Sequence, residues 1–191
     1  GSFIGFSAAF PLLSKTLFPE IHVLHYAFLG PLVGAIARAA SGKACDRIGG
    51  GRITLWVFVA MSVGVLGVLY AIGMKGNPSA YPVFFASFLF LFAMAGIGNA
   101  STFQMIPAIM RKEVARLEPT LTPAQSVKQS DKEAAAIIGF SSAVAAYGAF
   151  FIPKSFGTSI AATGGAEAAL YSFLAFYVSC IVITWWFYTR P

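Results

Sequence analysis

What most constrains this chain is how its charges are kept apart from its apolar sequence. Runs of about twenty residues with almost no ionisable side chain alternate with short segments that hold nearly all the charge. A run of that kind is long enough to cross the roughly 30 Å hydrocarbon core of a bilayer. Inside it each backbone N–H and C=O needs a partner within the protein, which a helix supplies from its own segment. Of the 191 residues 58% are hydrophobic and 10% charged, and the mean hydropathy is +0.76. A soluble domain carries about 25% charged residues, so a water-soluble fold and a disordered chain are both excluded. Cys45 and Cys180 have no metal-ligand spacing and imply neither a disulfide nor a zinc framework. The opening Gly1 to Phe6 has no initiator Met and no basic segment, so it is not a signal peptide; the expectation is a chain that starts inside a membrane helix.

Six apolar spans are predicted, and with them an all-α membrane protein of six transmembrane helices. They run from Gly1 to Leu17, His22 to Gly42, Ile53 to Gly73, Tyr81 to Met110, Ala134 to Pro153 and Glu167 to Tyr188. The fourth is about 45 Å long at 1.5 Å per residue, so it must tilt, bend near Gly96 and Gly98, or project from the bilayer. Residues 111–133 mix both charge signs with Pro119 and Pro123 and read as a cytoplasmic loop.

The basic residues sort by side. Lys43, Arg47, Arg52, Arg111, Lys112, Arg116, Lys128, Lys132 and Arg190 share one side, Lys15, Lys75 and Lys154 the other, and Arg38 lies within a span. The first group marks the cytoplasm, which puts the C-terminus there. The net charge of +6 is therefore a topology signal, and nucleic-acid binding is not implied.

Arg38 is the foremost candidate for function. An ion inside a membrane is costly and commonly marks a solute pathway, although an arginine can also snorkel to the headgroups. Ala37, Ala39, Ala40 and Ser41 around it are small residues suited to close helix packing or a cavity wall. No acidic residue lies near it in its own span; Asp46 is two turns further on. A guanidinium stays charged and presents a planar fork of donors, which suits a small planar oxyanion. No carboxylate or histidine occurs at mid-depth, since His22 and His25 open the second span at its outer edge. An intramembrane hydrolase needs a nucleophile with an activating base, and Ser141 and Ser142 have no such base in any span, so no enzyme is indicated. No cofactor or metal ligand set is present either.

Two spans are rich in small or polar residues. In the fifth, Ala135, Gly139, Ala143 and Ala146 share one helical face, with Gly148 and Ala149 beside it, which permits close helix contact or backbone exposure to a cavity. The fourth carries Asn99, Ser101, Thr102 and Gln104 at membrane depth. After the second span, Gly42-Lys43-Ala44-Cys45-Asp46-Arg47-Ile48-Gly49 forms a glycine turn able to lock and release helix ends through charge pairs. This turn resembles the Asp-Arg-x-Gly loop that follows the second helix of each half in the major facilitator superfamily.

Taken with Gly1 to Ala8, Gly34 to Arg38, Ser101 to Met105 and Gly139 to Pro153, the chain resembles the carboxy-terminal half of a nitrate/nitrite porter of that superfamily. The resemblance spans residues 1–191 and implies helices seven to twelve of twelve, with the seventh truncated at its start. It implies that Arg38 binds nitrate or nitrite, paired with a counterpart from the missing amino-terminal six-helix half. It implies that the glycine-rich signature of helix eleven falls on Gly139, Ser142, Ala143, Gly148 and Phe150. Gly139 and Ser142 would then touch substrate, while Ala143, Gly148 and Phe150 would serve sliding contacts. Gly42, Asp46, Arg47 and Gly49 would form the gating loop. Ala145 and Ala149 stand where the pattern favours glycine. The expected activity is nitrate/nitrite exchange by alternating access across the inner membrane, in nitrate assimilation. The alternatives are nitrate/proton symport, or a sensor or membrane partner that binds without transporting. This chain, with half a site, is not expected to transport alone.

Overall fold

The computed structural model describes residues 1–189, apart from the side chain of Leu24. Arg190, counted above with the cytoplasmic charges, lies outside the described residues. Seven α-helices follow one another: α1 (Ser2–Leu17), α2 (Leu29–Ile48), α3 (Gly50–Gly73), α4 (Ala80–Leu117), α5 (Pro123–Ala146), α6 (Gly148–Thr163) and α7 (Glu167–Thr184). A single 3₁₀ turn, Val23–His25, precedes α2, and a π-helical turn, Trp185–Thr189, extends α7.

The predicted boundaries shift in three places, and the count of six spans is matched only in part. Four stretches are long and apolar enough to cross a membrane: Gly50–Gly73, Ala80–Leu117, Pro123–Thr163 and Glu167–Thr189. α1 has 16 residues and α2 has 20, and α2 gains Lys43, Asp46 and Arg47 at its end because it starts later than His22 and runs on past Gly42. The predicted fifth span lies within a rod of two helices, α5 and α6, that meet at Tyr147. Finally, residues 111–133 are mostly helical. α4 continues unbroken through Gly96, Gly98 and Pro107 to Leu117, and only Glu118–Thr122 connects it to α5. The start of α5 is closed by a capping box, in which the Thr122 hydroxyl accepts from the Gln125 backbone N–H and the Gln125 side chain accepts from the Thr122 N–H, with Pro123 in the first helical turn.

α4 is the organising element. It packs against α2 and α3 along much of its length and against α5 near its far end, while α7 rests on α3 and α1 on α6. Phenylalanines one turn apart, Phe84, Phe88 and Phe92, form a row on α4, and Phe6 and Phe10 of α1 lie against it. All five are 0–1% exposed. Ring centroids stand 5.3 Å apart for Phe10 and Phe88 and 4.9 Å for Phe84 and Phe88, inside the range where aromatic pairs attract beyond simple burial.

Where α2 and α4 cross, the backbones touch. A Cβ at Gly96 would collide with the Gly34 carbonyl oxygen, and one at Gly34 would lie 2.8 Å from the Phe92 carbonyl oxygen. Glycine is needed on both sides for this approach, and the crossing lies one turn before Arg38 on α2.

Candidate functional site

The polar run of α4 faces inward. Thr54 of α3 and Ser101 of α4 share a buried hydrogen bond of 2.8 Å. The Ser101 and Thr102 hydroxyls both donate to the Gly98 carbonyl, at 3.1 and 2.8 Å. Ser2 and the buried Tyr177 exchange a bond of 3.0 Å between α1 and α7. In an apolar surrounding such groups persist only when partnered.

Next to them lies a cavity of about 210 Å³. Its polar wall is formed by Thr54, Asn99, Thr102, Ser141 and Ser142, and its apolar wall includes Phe3, Phe58 and Phe103. Among the described residues no charged side chain lines it. The interior is one of neutral donors and acceptors between aromatic rings.

Arg38 meets this cavity through Phe103. The guanidinium carbon stands 5.6 Å from the Phe103 ring centroid, within cation–π range, and the same ring lines the cavity. Arg38 is exposed, and among the described residues it forms no ion pair. Its charge is answered by an aromatic face alone.

The other predicted site residues scatter. Ser142 lines the cavity. Gly139 is exposed with open space where a Cβ would stand, Ala143 and Phe150 are exposed, and Lys154 sits 5.1 Å above the Phe150 ring. The small-residue face expected to pack closely thus contacts little within the described chain. Gly148 is the exception, because a Cβ there would lie 2.6 Å from the Gly1 Cα and one at Gly5 would lie 2.8 Å from the Gly148 carbonyl oxygen. Gly49 turns the chain between α2 and α3 with φ of 97°. Asp46 and Arg47 are both exposed and form no ion pair among the described residues. Among the described residues the cross-helix ion pair is Arg111 with Asp131, at 3.7 Å between α4 and α5; Arg116 pairs with Glu113 within α4. The sequence reading missed Phe103, Thr54 and Asn99 as cavity walls, although the run from Asn99 to Gln104 already marked α4 as polar at depth.

Helices of this apolarity and length, packed around a cavity that neutral polar side chains share with aromatic rings, mark a multi-pass α-helical membrane protein. Its relatives are specific. The chain is 43% identical over 194 residues to the nitrate/nitrite transporter NarU of Salmonella typhimurium, an alignment covering 100% of this chain and 41% of that protein. It is 43% identical over 193 residues to NarU of Escherichia coli, with the same coverage. Against the probable nitrate/nitrite antiporter NarK2 of Thermus thermophilus it is 33% identical over 197 residues, covering 100% of this chain and 39% of that protein. No protein-family model matches. The chain is thus similar along its whole length to nitrate/nitrite transporters, and it spans about two-fifths of theirs.

Proposed function

We propose that this chain is the carboxy-terminal, six-span half of a nitrate/nitrite porter of the major facilitator type, in the inner membrane with its C-terminus cytoplasmic. It would contribute one arginine, Arg38, to an anion site completed by an amino-terminal half. The observation that carries this reading is the unpaired Arg38 guanidinium, whose contact in the chain is the Phe103 ring. Arg38 is exposed within this half of the molecule; once another half covers it, a cation without an acidic neighbour attracts a mobile anion, and its planar fork matches a planar oxyanion. The Phe103 ring attracts the guanidinium without neutralising it.

The cavity beside Phe103 has no carboxylate or histidine to carry a proton. That supports anion exchange over proton symport for this half of the molecule. In such an exchange Arg38 holds charge and orientation, and the loosely covered α5–α6 rod supplies the moving contact. The test is Arg38→Lys in the full-length protein. Lysine keeps the charge and loses the fork, so nitrate uptake should fall by about tenfold or more. Uptake at the original rate removes Arg38 from the site. Proton movement accompanying nitrate in proteoliposomes would replace exchange by symport.

A further inference from the structure

We propose that Asn99 contacts the bound anion and sets a preference for trigonal nitrate over bent nitrite. The proposal rests on Arg38 as the anion's charge partner. Asn99 and Phe103 stand four residues apart on α4, so their side chains share a face, and both line the same cavity. Asn99 Oδ1 is enclosed and has no hydrogen-bond partner. Among the described residues neither end of this carboxamide is bonded. Its neighbours behave differently: Thr54, Ser101 and Thr102 all close on protein groups. A carboxamide left unpartnered in a largely apolar interior disfavours the empty site, and its unbonded N–H groups, as donors, suit an acceptor that enters the cavity.

The chemistry of the two anions then separates them. A guanidinium fork pairs with two oxygens. Nitrate presents a third oxygen on the far side, where a carboxamide N–H can donate. Nitrite has only a nitrogen lone pair there, set back by one N–O bond, which makes it the weaker and more distant acceptor. Asn99 shares its cavity with Phe103, whose ring the Arg38 guanidinium meets, so an anion held by Arg38 at the Phe103 ring would offer its third oxygen toward the Asn99 N–H and gain more from it as nitrate than as nitrite.

The experiment uses the full-length transporter in proteoliposomes, with KM and maximal rate measured for each anion and thermal unfolding followed in parallel. Asn99→Leu should raise the KM for nitrate about tenfold or more and that for nitrite less than about threefold. Its unfolding temperature should hold or rise, because an unsatisfied polar group is gone. Asn99→Ala should give the same ordering and serves if the leucine variant does not fold. Equal shifts for the two anions, no shift, or a loss of affinity that tracks a drop in unfolding temperature overturns the proposal. Arg38→Lys separates the two levels. If it abolishes nitrate transport while Asn99→Leu changes nothing, the role of Asn99 falls and the arginine site stands. If Arg38→Lys leaves nitrate KM unchanged, both fall.

Discussion

Along α4, Phe84, Phe88 and Phe92 are sealed among rings from α1, whereas along α5 and α6, Phe140, Tyr147, Phe150 and Phe151 stand 58–73% exposed. Of the most apolar eighteen residues, 39% are buried in α4 and in α3, and none in the α5–α6 rod. Both regions are apolar, so composition does not distinguish them. What distinguishes them is the partner. One region is packed throughout by large side chains that interlock inside this chain; the other meets it through glycine backbones at Gly1, Gly5 and Gly148 and through Ile152, Phe156 and Ile160, and leaves Phe140, Tyr147, Phe150 and Phe151 exposed. Large interlocked rings resist relative motion, and a smooth glycine contact resists it little.

The contrast can be broken by measurement. The largest effect is expected from Phe88→Ala in the full-length protein, which removes a ring touching Phe6, Phe10 and Phe84. It should cost about 3 kcal/mol in detergent unfolding, while Phe140→Ala on the open rod should change stability by less than about 0.5 kcal/mol. Equal losses at the two positions would erase the distinction. Next comes Gly96→Ala, whose Cβ would strike the Gly34 carbonyl. A loss of about 1–3 kcal/mol is expected, against almost none for Gly139→Ala, which has open space; transport assays on the latter would also show whether Gly139 needs a bare backbone for substrate. Thr54→Val removes the bond to Ser101 but leaves Ser101 bonded to Gly98, so about 0.6 kcal/mol is the expected loss. The smallest effect belongs to Arg111→Ala. Its pairing with Asp131 is between side chains 62% and 58% exposed, and less than about 0.5 kcal/mol should be lost, vanishing in high salt.

Much of the architecture was legible because hydrocarbon demands long uncharged runs: Gly73 ends α3 and Glu167 begins α7 as expected. The misplaced boundaries fell where that demand stops. Residues 111–117 and 123–133 carry too much charge to read as span, yet they continue as helix, since nothing between Pro107 and Leu117 or after Thr122 breaks the ladder. Pro119 is the break, and it sits in the five-residue connection. The site was half legible for a similar reason. A charge in apolar sequence betrays Arg38 by itself, but its contact with Phe103 depends on how α2 and α4 cross. That crossing is set by Gly34 and Gly96, sixty-two positions apart. Thr54 was silent because its partner Ser101 lies on another helix, and only the register between α3 and α4 brings the two hydroxyls together.

The short tie between α4 and α5 has a mechanical result. Five residues at about 3.5 Å each reach roughly 17 Å when fully stretched, and the capped turn at Thr122 shortens that further. The far ends of these two rods are therefore yoked. A tilt of α5 at one bilayer face must be answered by α4, and through α4 by the arginine-bearing α2 that leans on it, so a displacement at the rim is delivered to Arg38 without any contact between α5 and that side chain.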